Sequence, residues 1–421
     1  MPDHAPESTT PSATPPSQDA GIDKPTRRTL AAVDRAMAEL RRGAPVLVGD
    51  GAAAALVLAA ETGNGEDLAR LFALLAGPQA NRGPNPAASP GASEASGGKI
   101  FLALTAHRAV ALGLVPGSRI TAGGPSFCVL PVDPTGEADL LRRLADPTAS
   151  PAAPAVHRLP LATVATGNLA AYAEAAIALA KQARLLPAVA IGLLPPEAGD
   201  GRAFAAAEDI LAVGVGEIAS YETLASRSLV PVSEARVPLA GAEATRIITF
   251  RPGDGGIEHL AILIGEPEPG RPVLTRLHSA CLTGDLLGSL RCDCGDQLQG
   301  AIAEIARQGS GLLLYLAQEG RGIGLVNKLR AYRLQDRGAD TLEANLQLGF
   351  DADERIYLPA AEMLRRLGFE AVRLMTNNPE KVAGLARLGI AVVERVPHVF
   401  PSNRHNEGYL ETKATRFGHM F

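Results

Sequence analysis

The second half of the chain keeps returning to one order of patterns: an amphipathic helical stretch stopped by glycine, then a short apolar stretch of strand length. "DQLQGAIAEIARQG" puts Leu298, Ile302 and Ile305 on one helical face and stops at Gly309, and "GLLLYLA" follows as a buried strand. Downstream, "PAAEMLRRLG" and "NPEKVAGLARLG" read as helices and "AVRLMT" and "AVVERV" as strands. This alternation commits the chain to sheets flanked by helices, the α/β class, with candidate chemistry at strand ends.

The first half carries the same pattern more faintly. "LAAVDRAMAELRRG" aligns Leu30, Val33, Met37 and Leu40 on one helical face, "APVLVGD" reads as a buried strand, and "EDILAVGVGEIASYETLASRSL" as a strand followed by a helix. The pattern resets between Val230 and Ala240. At 421 residues and 46% hydrophobic content the chain can fill two cores, so two mixed α/β domains are expected, over 26–231 and 232–421. A Pro-, Ser-, Thr- and Ala-rich tail over 1–25 should be disordered. "GPQANRGPNPAASPGASEASGGK" and "DPTASPAAPA" should be loops or insertions in the first domain.

A net charge of −5 does not suit a nucleic-acid partner. The longest apolar runs, such as Leu185 to Leu194, are about half the ~20 residues a membrane-spanning helix needs, so no span is expected. Four cysteines make a poor disulfide framework, and no basic-then-apolar leader pattern opens the chain; a reducing, cytoplasmic setting is the expectation.

Three of those four cysteines lie together in "HSACLTGDLLGSLRCDCGDQL", at Cys281, Cys292 and Cys294, eleven and two residues apart. Three thiolates around one ion select zinc among common cellular metals. Three protein ligands with water in the fourth position is the catalytic pattern, in which the metal lowers the water's pKa toward ~7. A structural site completed by His278 or Cys128, or unligated cysteines, are the alternatives; Cys128 alone would be a small core residue.

"QEGRGIGL", from Gln318 to Leu325, lies between the strand "GLLLYLA" and the helical "VNKLRAYRLQD". A glycine-rich turn there presents backbone N–H groups at a helix N-terminus, and Arg321 adds a guanidinium suited to phosphate, although such turns are also common as structure alone. A third cluster, "FDADERIY", brings Asp353 and Arg355 two residues apart, as proton acceptor and anion stabiliser or as an internal ion pair sharing one strand face. "TNNPEKV" adds Thr376 and Lys381 at a strand-to-helix turn.

Taken together, these motifs closely resemble GTP cyclohydrolase II, the enzyme that opens the guanine ring of GTP at the start of riboflavin synthesis. The resemblance runs from near Val232 to the end of the chain. It implies one zinc per chain on Cys281, Cys292 and Cys294. It also implies a GTP-binding set of Arg276, Leu277, His278, Ser279, Ala280, Gln297, Glu319, Gly320, Arg321, Thr341, Thr376 and Lys381. Asp353 would be the proton acceptor, Arg355 the residue proposed as nucleophile toward the α-phosphate, and Tyr332 would lie near the reacting ring. Magnesium with the substrate phosphates and a homodimer are implied as well. Because a guanidinium's pKa exceeds ~12, Arg355 is better suited to stabilising phosphate charge than to nucleophilic attack. Two departures stand out: Ala280 replaces a usual glutamate, and Leu316 and Ala317 change the usual "YHRQEGR" to "YLAQEGR".

The first domain more weakly resembles 3,4-dihydroxy-2-butanone 4-phosphate synthase, through "AMAELRRGAPVLVGDGAAAALVLAAE", "ALTAHRAVALGLVP" and "EDILAVGVGEIASYETLASRSL". Where that family has an acidic metal-binding loop, this chain has "GDGAAAA" from Gly49 to Ala55, with Asp50 its only acid. "TGNLAAYAEA" stands where the family carries a histidine-containing segment. Alanines cannot replace carboxylates that hold magnesium, so a catalytically dead domain with a scaffold or dimerisation role is expected.

Overall fold

In a computed structural model the described residues are 22–51, 53–76, 99–115, 127–132, 138–149 and 167–400, with 414, 416, 418 and 420. The tail up to residue 21 and most of the two turn-rich stretches fall outside them.

The first helix, α1 (Lys24–Arg42), begins two residues inside the tail expected from composition, because Asp23 caps it by accepting from the Thr26 N–H. It buries the apolar stripe read from the sequence, Leu30, Val33, Met37 and Leu40, with Ala36 between them. Gly43 ends it at φ 82°, and a Cβ there would lie 2.7 Å from the Thr62 carbonyl oxygen, so glycine is required on both counts. The chain continues through β1 (Val46–Asp50), β2 (Ala53–Ala59), α2 (Gly65–Ala76), β3 (Ile100–Thr105), α3 (Ala106–Ala111), β4 (Phe127–Val132) and α4 (Ala138–Ala145). It then passes through α5 (Gly167–Gln182), β5 (Ala188–Leu193), α6 (Gly201–Ala207), β6 (Leu211–Val213) and α7 (Val215–Arg227). The strands form one mixed sheet in the order β4-β3-β5-β2-β1-β6.

The second domain opens with three antiparallel strands that the helix-and-strand reading did not resolve, β7 (Val230–Arg236), β8 (Thr245–Arg251) and β9 (His259–Ile264). They are followed by β10 (Val273–Ser279), α8 (Cys294–Gln308), β11 (Gly311–Leu316), α9 (Gly324–Gln335) and α10 (Thr341–Leu348). The last elements are α11 (Leu358–Arg366), β12 (Ala371–Met375), α12 (Pro379–Arg387) and β13 (Ala391–Val396). The sheet order is β13-β12-β10-β11-β9-β8-β7; β11, β10, β12 and β13 run parallel, so their C-terminal ends meet along one edge. Open α/β sheets bind ligands at such an edge.

Both sheets are covered by helices, as the α/β reading expects, and each domain has apolar clusters of its own, but one further cluster is shared between them. The apolar cluster on one face of the first sheet, around Leu56, Leu102 and Leu104, is completed by Ile323, Ala331, Leu334, Leu348 and Phe350 of α9, α10 and their flanks. A sequence boundary near residue 230 thus divides two sheets while one core runs across it. "FDADERIY" also differs from expectation: Asp351 to Tyr357 form no strand but an irregular segment between α10 and α11.

Candidate active site

The thiols converge at the end of β10. Cys281 follows that strand, Cys292 lies in the loop beyond and Cys294 is the first residue of α8. Their sulfurs lie within 4.8 Å of one another, with the Cys281 and Cys292 Sγ atoms 3.8 Å apart. Gly284 makes room for them, since a Cβ there would come 2.8 Å from Cys292 Sγ and 3.1 Å from Cys281 Sγ. The Lys328 Nζ donates to Cys281 Sγ (3.0 Å), to Thr283 Oγ1 (2.9 Å) and to Glu319 Oε1 (2.8 Å). Hydrogen bonds from Cys292 and Cys294, then Lys328, hold the Cys281 thiol far below its ordinary pKa, while the hydrogen bond with Cys281 pushes Cys292 up to about 11. One negative charge is therefore shared over the cluster, and a divalent cation is what would let all three thiols ionise.

Neither alternative fourth ligand reaches the cluster. The His278 Nε2 is 3.0 Å from Asp285 and its ring stacks on Tyr315, while Cys128 is buried on β4 in the other domain. Asp285 also accepts from the Cys281 N–H (2.9 Å) and the Tyr315 hydroxyl (2.9 Å), which orients the first thiol.

The pocket above the thiols is lined by most of the sequence-proposed set: Arg276, His278, Ser279, Ala280, Gln297, Glu319, Gly320, Arg321, Tyr332, Thr341, Arg355, Thr376 and Lys381. Two proposed residues do not line it. Leu277 is 1% exposed with its side chain in the core, and its carbonyl accepts from the Lys381 Nζ at 2.7 Å. Asp353 sits behind Arg355, whose Nε donates to Asp353 Oδ1 at 2.8 Å, so the ion pair expected as an alternative is formed. Burial opposes the Asp353 charge, but Arg355 outweighs it and holds the carboxyl below its ordinary pKa.

Arg276 is buried, donating to the Met375 carbonyl (2.9 Å) and to Gln297, and burial lowers its pKa to about 10, leaving it cationic at neutral pH. Gly320 and Arg321, which line the pocket, take left-handed φ angles of 64° and 62°, a conformation that costs a non-glycine residue about 1 kcal/mol or more, and the Gly320 N–H donates to Glu319 Oε1 at 3.1 Å. Tyr332 is raised above its ordinary pKa by burial; its hydroxyl is 3.5 Å from Thr283 Oγ1 and the Arg291 guanidinium lies 4.8 Å from its ring centre.

Lys328, Arg291, Asp285, Asn378 and His398 were not singled out by the sequence motifs. Lys328 had a local signal, since it lies one helical turn before Tyr332. His398 had none: its Nε2 meets the Gln297 carbonyl at 2.9 Å across 101 residues.

A site with a thiol cluster beneath a cation-rich pocket suits an enzyme acting on an anionic substrate. The GTP cyclohydrolase II family profile matches residues 230–397. A GTP cyclohydrolase-2 of Azospirillum brasilense is 52% identical over 395 residues, 93% of this chain and 94% of that protein. A GTP cyclohydrolase-2 of Pseudomonas aeruginosa is 56% identical over 193 residues, 46% of this chain and 94% of that protein. The riboflavin biosynthesis protein RibBA of Phocaeicola vulgatus is 43% identical over 291 residues, 66% of this chain and 71% of that protein. The chain belongs to the GTP cyclohydrolase II family, hydrolases that act on cyclic amidine C–N bonds. Among the described residues no helix is long and apolar enough to cross a membrane.

Proposed function

We propose that this chain hydrolyses GTP to 2,5-diamino-6-ribosylamino-4(3H)-pyrimidinone 5′-phosphate, formate and pyrophosphate, with one zinc ion on Cys281, Cys292 and Cys294. The supporting observation is that three thiols and the cations Arg276, Arg291, Arg321, Lys328, Arg355 and Lys381 share one pocket. The donor set fits zinc: bonds of about 2.3 Å at tetrahedral angles separate sulfurs by about 3.8 Å, the spacing of Cys281 and Cys292. Bound there, the ion would activate water for attack on the imidazole ring.

The chain's own residues do the rest. Lys328 donates to Cys281, adding to the other two thiols in favouring its thiolate, and is itself held by Glu319. The pocket's cations, Arg321 of the glycine-rich turn among them, neutralise a triphosphate accompanied by magnesium. Arg355 stabilises charge at the α-phosphate, and Asp353, behind it, aligns the guanidinium and accepts a proton. Tyr332, beside the thiols, is the group suited to proton transfer near the opened ring. Of the departures from the usual motif, Leu316 is 1% exposed in the core and Ala317 is engaged through its backbone by His259 and Arg184; Ala280 alone lines the pocket. The chain acts as a homodimer in this reading.

The first domain is proposed to lack synthase activity. Ala54 and Ala55 of its alanine loop are buried in β2, and a Cβ at Gly201 would come 2.9 Å from Ala54 Cβ, so apolar packing fills the place of a carboxylate site.

The test is turnover of GTP by the purified chain, with product mass, formate, pyrophosphate and zinc measured together. Formate release on adding GTP at one zinc per chain is expected. Zinc-loaded protein that binds GTP and releases no formate would make this a nucleotide sensor, and formate from a different nucleotide alone would reassign the substrate.

A further inference from the structure

We propose that Lys181, on the first domain, is a positioning residue for the ring-opening site, fastening the segment that carries Asp353 and Arg355. This rests on the assignment of those two residues to the reacting centre.

Asp351 to Ile356 have no ladder or helical hydrogen bonds to fix their course, so side chains largely do it, Gln318 on the Ile356 carbonyl (2.6 Å) and Asn345 on the Ala352 carbonyl (3.4 Å) from within the second domain. Lys181, in the last turn of α5, donates to Asp351 Oδ2 (3.0 Å) and to Glu354 Oε1 (2.7 Å), two residues before and one residue after Asp353. The same Glu354 oxygen accepts from the Asp351 N–H at 2.7 Å, closing the segment into a ring around the ammonium group. Burial works against the charge on Lys181, yet the two carboxylates outweigh it and raise its pKa. His107, also of the first domain, lies 3.4 Å from Asp351 and with Lys181 holds that carboxyl far below its ordinary value. On the other side, the Glu354 N–H donates to the Arg321 carbonyl (3.1 Å), and a Cβ at Gly322 would come 2.8 Å from the Glu354 oxygen. The fastening therefore reaches the glycine-rich turn as well.

Three residues further along, Arg184 links the same stretch of the first domain to the other walls of the site. Its guanidinium donates to the Ala317 carbonyl (3.2 Å), just before the glycine-rich turn, and its own carbonyl accepts from the Asn327 Nδ2 (3.0 Å), next to Lys328 on α9. Arg184 is held at φ 59°, a strained conformation for a non-glycine residue. Residues 181–184 thus touch all three segments that supply Arg321, Lys328 and Arg355. A short surface ion pair is worth little, but Lys181 and Glu354 expose only 23% and 20% of their side chains and sit at a joint between domains.

The test uses the full-length, zinc-loaded chain. Lys181→Met should lower kcat for formate release about 10- to 100-fold at a GTP KM within about threefold of the parent, with zinc content unchanged and the melting temperature lowered by no more than a few degrees. Lys181→Arg should restore kcat to within about threefold, since it keeps the charge. Parent-like kcat in Lys181→Met, or a loss matched by lost zinc or lost folded protein that Lys181→Arg does not repair, overturns the proposal. Should Lys181→Met not accumulate folded, Glu354→Gln reads the link from the other side: reduced kcat at parental KM supports it and parental kcat overturns it. Asp353→Asn separates the two levels. Full turnover in that variant overturns the site assignment, whereas an inactive Asp353→Asn beside an unaffected Lys181→Met overturns the fastening alone.

Discussion

The ends of β1 and β10 make an instructive pair. At β1 the first domain turns through a hairpin in which Asp50 pairs with Ala53, and the alanines beyond it sink into the core. At β10 the strand ends at Ser279, Ala280 and Cys281 follow it, and the chain continues through Asp285 to Cys292 and Cys294. Both strands are buried and both lead out to loops, so the fold is equally served by either. What differs is the cost accepted. The buried polar side chains described in the first domain are few, among them Thr105, Arg108 and Thr148, whereas the second buries Arg276, His278, Lys328, Thr376, Asn378 and Lys381 around a single pocket. Each such group costs about 1–3 kcal/mol if left unpaired. Nearly all have partners here, yet the His278 Nδ1 and Arg276 Nε atoms are buried without one. Packing alone would not keep such groups; substrate chemistry would.

The contrast breaks first at the thiols. Cys292→Ser should lose zinc and formate release together, to background, because two thiolates and a hydroxyl hold the metal poorly; metal analysis beside a formate assay would decide, and full activity without zinc would remove the mechanism. Asp353→Asn should lower kcat by about 10²–10⁴-fold, the span of a proton-transfer group. Tyr332→Phe should slow formate release by about 10²-fold while pyrophosphate release falls less. If both products fall together with GTP affinity, the tyrosine binds and does not transfer protons.

A smaller effect comes from acid. His259 and His398 are lowered to about 4, by burial first and then by Arg184 and Arg276 respectively. Unfolded histidine takes up its proton near 6.5. The unfolded state therefore binds more protons at these two sites between pH 6.5 and 4, so their penalty is absent above 6.5, grows as pH drops through this window and is complete below 4. The loss should be on the order of 3 kcal/mol per histidine, and His259→Gln should flatten the profile of melting temperature against pH. The smallest expected signal is none: ribulose 5-phosphate should give no dihydroxybutanone phosphate with the intact chain. Detection of that product would mean that the alanine loop conceals a working site.

The same contrast shows how far residues speak for themselves. The stripe of α1, the helix-and-strand alternation after Asp293 and the three thiols were all legible, because each is a local pattern of a few turns or a short loop. The meander β7 to β9 was not, since its pairing lies in neighbours on other strands. Nor was the course of "FDADERIY", which reads as a strand by alternation but is held irregular by Lys181 and Arg321.

By itself the sequence determined the α/β class, the family motifs and the residue types able to hold a soft metal and a polyphosphate, because spacing and side-chain chemistry act over short distances. Only the tertiary structure decided that Leu277 would face the core while its carbonyl holds Lys381 104 residues away, and that Lys328 would reach Cys281. It also decided that helices α9 and α10 of the second domain would complete a core of the first sheet and that a lysine of the first domain would close on a carboxylate 173 residues along. Those outcomes depend on which buried group finds which partner once the two domains have packed together, and no local pattern encodes that choice.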